Sequence, residues 1–142
     1  MVPLRDFVIG GIVSYGENPM RAELRFAGFG GQGIISAGKI TGRAASIFDG
    51  KDAVMMQSYG PEARGGACNA DVVVSDKAIG YPQLHRPRLA VIMSQEAYEK
   101  YGPTIDQEGT LIVDENLVDM DEIPPSVHHV YAIPATRIAE DL

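Results

Sequence analysis

Cysteine is nearly absent: Cys68 stands alone among 142 residues. One thiol excludes an intrachain disulfide framework, a four-thiolate zinc site and a self-contained iron–sulfur cluster. Such sparing use fits a reducing cytosol, so a cytoplasmic location is expected. Basic charge is also short, with 12 Lys and Arg against 19 Asp and Glu and a formal charge of -7. That balance argues against nonspecific binding to nucleic acid or to an anionic membrane. No apolar run approaches the roughly 18 residues of a membrane span. The stretch from Phe7 to Val13 is far too short, and it lacks the basic start and small-residue cleavage site of a signal peptide. Internal repeats and low-complexity segments are missing as well. What is present is ordinary for one globular domain: 45% apolar and 22% charged residues. A chain of this length buries roughly two-thirds of its unfolded surface and folds without staples.

Glycine is the exception, with 16 residues, and it is clustered. Asn18-Pro19-Met20 breaks the chain before a strand-like alternation from Arg21 to Ala27. Met20 is a candidate start, so residues 1–19 read as an N-terminal extension not native to the domain, and 20–142 as the domain. From there strand-like and helix-like stretches alternate. Ile34 to Asp49 places Ala37, Ile40, Ala44, Ile47 and Phe48 on one helical face, the expected core face, with Gly50 to stop it. Gly38 and Gly42 inside that helix each cost about 1 kcal/mol relative to alanine, and close approach to a sheet explains such an expense. Ala53–Met56, Asp71–Val74, Leu89–Met93, Thr110–Val113 and His129–Ile133 read as strands, the third of these central and buried. Ser94 is placed to cap a helix from Gln95 to Tyr101, and Pro124-Pro125 to turn the chain. Residues 75–88, with Gly80, Pro82 and Pro87, read as a hairpin or an irregular excursion. The pattern predicts an α/β fold: a mostly parallel, Rossmann-like sheet with helices on both faces. Thr136 to Asp141 supplies only a first helical turn at the end. A sheet finished this way leaves one face partly uncovered, as in a C-terminally truncated fragment or a chain completed by a partner.

Two loops carry the functional signal. Gly28-Phe29-Gly30-Gly31-Gln32-Gly33 has the G-x-G-x-x-G spacing between a strand and a helix. There, glycines let the backbone turn tightly and approach a ligand while the helix N-terminus offers free N–H groups to an anion. A dinucleotide would also need an acid at the tip of the second strand, where this chain has Gln57-Ser58-Tyr59-Gly60. Asp49 and Asp52 precede that strand instead. The competing reading is a tight β–α turn that needs glycine for packing alone. The second loop, Ser58-Tyr59-Gly60-Pro61-Glu62-Ala63-Arg64-Gly65-Gly66, follows the second strand and is expected at the same carboxyl edge, where ligands of such sheets bind. Arg64 beside Gly65 and Gly66 can fork onto a phosphate or carboxylate, or else pair with Glu62 and merely hold the loop.

Other candidates are weaker. Cys68 has no flanking base and reads as a small buried thiol. His128-His129 lacks partners at metal-ligand spacing. His85-Arg86-Pro87-Arg88 reads as a solvated basic loop or a subunit contact. No nucleophile, base and acid can be assembled, so the chain is expected to bind without catalysing alone and to hold no metal.

The stretches Arg25–Gly33 and Gln57–Gly66, with Asn69–Asp76 and Met93–Tyr98, resemble the gamma subunit of the 2-oxoacid:ferredoxin oxidoreductases. The likeness runs from about Met20 to the last residue, and the unbroken second motif is most similar to the 2-oxoglutarate type. The resemblance implies a non-catalytic subunit of a cytoplasmic complex that converts a 2-oxoacid and coenzyme A to acyl-CoA and carbon dioxide, with ferredoxin as acceptor. It implies thiamine diphosphate and iron–sulfur clusters on alpha and beta partners, with a ferredoxin-like delta subunit in some complexes. It also implies a shared coenzyme A site, and no cofactor held by this chain alone. Onto that site the resemblance carries Gly28, Gly30, Gly31, Gln32, Gly33, Ser58, Tyr59, Arg64, Gly65 and Gly66. Coenzyme A offers a pyrophosphate and a 3′-phosphate, and it needs no ribose-binding acid. The reading from another class is a stand-alone nucleotide-binding or regulatory module without turnover.

Overall fold

The computed structural model describes residues 20–59, 67–121 and 127–142. The proposed extension at 1–19, most of the second glycine loop and the Pro124-Pro125 turn lie outside the described residues. In chain order the elements are β1 (Arg21–Phe29), α1 (Ile34–Phe48), β2 (Asp52–Tyr59), β3 (Ala67–Ser75), β4 (Leu89–Ile92), α2 (Gln95–Tyr101), β5 (Thr110–Asp114), β6 (His129–Ile133) and α3 (Ala135–Glu140). A single 3-10 turn, Gly102–Thr104, extends α2. The strands form one sheet in the order β2-β3-β1-β4-β5-β6. Pairings β1–β4, β4–β5 and β5–β6 are parallel, whereas β3 runs antiparallel to both β1 and β2. β2 therefore points the same way as β1, and the sheet is mostly parallel, as the alternating pattern predicts.

Each face has its own core. Leu24, Phe26, Ala70, Val72 and Val74 pack with Ile34 of α1 on one face. Ala27, Ala90, Ile92, Leu111 and Val113 pack with Ala97 and Tyr98 of α2 on the other. The α2 start obeys its capping signal: Ser94 Oγ accepts from Ala97 N at 3.3 Å. β3 starts four residues before the expected Asp71–Val74 strand because both its edges are paired and Asn69 finds polar partners. The Arg25 guanidinium grips Asp71 bidentately at 2.8 and 2.7 Å, and Asn69 Nδ2 donates to the same carboxylate at 3.1 Å. Tyr101 donates to Asn69 Oδ1 at 3.0 Å, and its ring lies 4.6 Å under the guanidinium. Burial opposes the Arg25 charge, yet the hydrogen bond and attraction of Asp71 outweigh it and hold the arginine above its ordinary value. Residues 76–88 are irregular rather than a hairpin, and the Glu23 carboxylate pins them by accepting from His85 N and Arg86 N.

One expectation is overturned. The face of α1 that meets the sheet is not Ala37, Ile40, Ala44, Ile47 and Phe48, for of these only Ala37 packs on the core. Ile34 and Gly38 are buried, with Thr41, Gly42 and Ala45 half-buried beside them. A Cβ on Gly38 would come within 2.8 Å of Ala70 Cβ. Small residues let α1 lie low on β3, and this close approach wins over the wider apolar stripe, which stays exposed.

Candidate functional site

Both glycine loops emerge at one sheet edge. Across the sheet there, Tyr59, Cys68 and Gly28 stand side by side, and Phe29 pairs with Ala67. The turn after β1 thus starts beside the strand end that residues 60–66 leave and the strand start that they enter. Here α1 departs over one face and α2 over the other, from the neighbouring strands β1 and β4. Their adjoining ends form the switch point where ligands of open α/β sheets sit.

The first loop divides its residues between structure and access. Gly28 is buried, and a Cβ on it would meet Gln32 Oε1 at 2.5 Å and Met93 Cβ at 3.0 Å, so packing alone demands glycine there. Gln32 spends its side chain on the fold, accepting from Phe29 N at 2.7 Å and donating to Met93 O at 2.9 Å. It laces the end of β1 to the end of β4, a role that G-x-G-x-x-G spacing does not reveal. Gly31 and Gly33 have φ of 94° and 78°, the left-handed region that other residues avoid. Gly30 has neither a positive φ nor any atom within 4 Å of a Cβ, so the described fold gives no reason for glycine there. It is exposed, as are Gly31 and Gly33. Gly33 caps α1 without any side-chain hydrogen bond, and the first turn carries no acid. Among the described residues no side chain caps the free N–H groups at this positive end of the helix dipole.

Ser58 and Tyr59 are exposed at the tip of β2. Arg64, Gly65 and Gly66 lie outside the described residues. Five of the predicted site residues, Gly30, Gly31, Gly33, Ser58 and Tyr59, thus share an open edge, while Gly28 and Gln32 build it. Asp52 begins β2 and sits about 23 Å from its tip at the usual rise per residue, too far to hold a ribose at this edge. Burial pushes the Cys68 thiol up, away from nucleophilic use. An open depression of about 800 Å³ lies beyond β5, lined by Gln95 and residues 115–121. Glu115, Asp119 and Asp121 make it a poor host for a polyphosphate. No group of three or more metal-ligating side chains occurs among the described residues. No helix among them is long and apolar enough to cross a membrane.

Residues 23–142 match the pyruvate ferredoxin/flavodoxin oxidoreductase family. The chain belongs to that family. It is 52% identical over 122 residues to the 2-oxoglutarate synthase subunit KorC of Methanocaldococcus jannaschii, covering 86% of this chain and 65% of that protein. The KorC subunit of Methanothermobacter marburgensis is 50% identical over 126 residues, covering 86% of this chain and 68% of the relative. Among solved structures, the keto/oxoacid ferredoxin oxidoreductase gamma subunit of Geobacter sulfurreducens superposes with a TM-score of 0.68 at 43% identity, covering 79% of this chain and 59% of that one. The 2-oxoglutarate:ferredoxin oxidoreductase of Magnetococcus marinus, solved with 2-oxoglutarate, coenzyme A and succinyl-CoA bound, gives 0.72 at 27% identity, covering 85% of this chain and 21% of that one. The chain thus spans about two-thirds of the KorC relatives, and its fold is a fifth of the Magnetococcus chain. These likenesses agree with the family that the two glycine motifs resemble.

Proposed function

We propose that residues 20–142 form the gamma-type unit of a 2-oxoglutarate:ferredoxin oxidoreductase, which makes acyl-CoA and carbon dioxide from a 2-oxoacid and coenzyme A. In this reading the chain is non-catalytic. Thiamine diphosphate and iron–sulfur clusters belong to cytoplasmic alpha and beta partners, with a delta subunit where the complex has one. The chain's share is the phosphate-binding edge for coenzyme A. One observation supports this most: three exposed backbone glycines at a helix start with no side-chain cap, with the exposed tip of β2 beside them. Glycines without side chains let an extended anion lie against the N–H groups, and the missing ribose acid is no handicap for coenzyme A.

Arg64 tests the site. A charge-assisted contact to a phosphate is worth roughly 1.5–3 kcal/mol. In the reconstituted complex Arg64→Ala should raise the coenzyme A KM about 10- to 100-fold and leave the 2-oxoacid KM nearly unchanged. If Arg64 only pairs with Glu62 or a partner, the variant weakens assembly on gel filtration, and the surviving complex keeps its coenzyme A KM. Turnover of 2-oxoglutarate by the isolated chain, with coenzyme A, thiamine diphosphate and a viologen dye, would refute the non-catalytic role.

A further inference from the structure

β2 is an edge strand, and among the described residues nothing pairs with its outer side. The ladder shows which backbone groups that side presents. Asp76 N donates to Met20 O at 3.1 Å, one step beyond the Arg21–Ser75 pair. Residues of an antiparallel strand turn both backbone groups to one neighbour and then to the other, in alternation. Cys68, Ala70, Val72 and Val74 therefore bond β1, and Asn69, Asp71, Val73 and Ser75 bond β2. Glu23 O and Ala27 O agree, since they accept from Arg88 N and Met93 N on the far side of β1. Across the β2–β3 ladder, Ser75, Val73, Asp71 and Asn69 stand opposite Asp52, Val54, Met56 and Ser58. Ala53, Met55, Gln57 and Tyr59 are left with N–H and C=O groups turned outward.

Edge strands are usually guarded by being short or bulged, or by proline or charge. β2 has eight residues, pairs with β3 without a bulge, and carries neither charge nor proline from Ala53 to Tyr59. The opposite edge, β6, has only five residues. The β2 edge is also self-complementary. Laid antiparallel against a second β2, its outward residues pair as Ala53 with Tyr59 and Met55 with Gln57, each pair formed twice by symmetry. Every one of them donates a bond and accepts a bond, about eight in all, and no register uses more. Met56 then sits on the two-fold axis, opposite its own copy at a Cα separation of about 4.5 Å. It is 39% exposed, on the face away from α1, because Ala53 and Met55 support that helix. Val54 faces Ser58 beside it. Asp52, the one charge of the strand, lies outside the paired stretch, so no like charges meet.

We propose that β2 pairs antiparallel with β2 of a second copy of this chain, joining two sheets across a two-fold axis at Met56. An isologous contact of this kind closes on itself and consumes both edges. The first glycine loop follows β1, two strands inward, and stays open. The proposal stands apart from the subunit reading, because the chain alone carries it.

Sedimentation equilibrium of the full chain should show a dimer. The amides of Ala53, Met55, Gln57 and Tyr59 should exchange slowly in it and faster on dilution. Met56→Asp and Met56→Lys each set like charges on the axis, and each should raise the dimer dissociation constant about tenfold or more. Mixed in equal amounts, the two variants should regain the parent constant, because opposite charges then meet. Recovery in the mixture also shows that each variant is folded, which far-ultraviolet circular dichroism checks separately. A parent chain that sediments as a monomer overturns the proposal, including the case where the strand of a different protein takes this edge. Variants that dimerise as well as the parent, or a mixture of folded variants that stays monomeric, place the contact elsewhere and overturn it too.

Discussion

Gly38 and Gly42 sit one turn apart in α1 and invite the same substitution, yet alanine should move stability in opposite directions. Replacing a helix-interior glycine by alanine brings about 1 kcal/mol through the backbone alone. At Gly42 the new methyl finds Val72 Cγ1 at 3.8 Å and Ala53 Cβ at 4.0 Å, ordinary contact distances. The whole gain should survive there. At Gly38 the methyl would lie 2.8 Å from Ala70 Cβ and 3.1 Å from Met55 Sδ. The methionine can swing aside, but Ala70 is fully buried in a strand paired on both edges. The helix must therefore rise off β3, and overpacking of this kind costs about 1–3 kcal/mol. The net loss at Gly38 is about 1 kcal/mol, and the two variants should differ by about 2 kcal/mol. For a chain of this size that separates their melting temperatures by about 6 °C. Urea and thermal unfolding followed at 222 nm read the difference directly. Equal stabilisation by Gly38→Ala and Gly42→Ala would show that α1 does not lie as close to β3 as described, and would refute the packing argument.

Three further outcomes follow from other parts of the molecule. Asp71→Ala leaves the Arg25 guanidinium without its bidentate partner in a site where both side chains are 13–15% exposed, and should cost about 3 kcal/mol in urea unfolding. Pairing Arg25→Met with Asp71→Leu should recover most of that loss, and a double variant no better than Asp71→Ala would count against the ion pair as the cause. Burial opposes ionisation of Asp114, but bonds from Thr136, Asn116 and Leu117 more than offset it and hold the carboxyl below its ordinary value. A depressed folded pKa means that its stabilisation is present above the unfolded value of about 3.9 and is lost as pH falls through the folded one. Asp114→Asn should therefore flatten part of the acid dependence of unfolding below about pH 4, and an unchanged slope would refute the assignment. NADH should bind more weakly than about 1 mM, or roughly 4 kcal/mol, because the tip of β2, Gln57-Ser58-Tyr59, carries no acid. Micromolar saturation of its fluorescence would restore a dinucleotide site.

Much of the fold is legible in the sequence because strong local signals decide it. Ser94 caps α2 where its side chain predicts, and the β4 and β6 runs sit where their apolar residues place them. The failures share a cause, which is that burial in this chain depends on partners distant in sequence. Asn69 falls outside the strand that the sequence shows from Asp71 onward until Tyr101 is brought beside it. Ile40 and Phe48 look like core until Gly38 and Ala45 prove small enough to bring the other side of the helix down. The site divides in the same way. The left-handed turns at Gly31 and Gly33 follow from residue type, whereas the use of Gln32 as a lace needs Met93, and Met93 arrives only with the parallel pairing of β1 and β4.

The direction of β3 bears most on the site. A fully parallel order would also put the ends of β1 and β2 at one edge, but the chain leaving β2 would then be free to wander over a helical connection before returning. With β3 antiparallel to both neighbours, residues 60–66 span only from Tyr59 to Ala67, which pair with Cys68 and Phe29 respectively. Their ends are fixed at the strand ends next to Gly30, whatever path they take between. For the proposed coenzyme A site, which calls on backbone N–H groups from one loop and a guanidinium from the other, two anchors on one rigid sheet would reduce the entropy lost on binding. The fixed ends also separate two kinds of change. An added residue within 60–66 leaves the β2–β3 register intact and alters only the reach of Arg64. An added residue within β2 shifts alternate side chains to the other face, exposing Met55 and Ala53, which now support α1, and removes the platform itself.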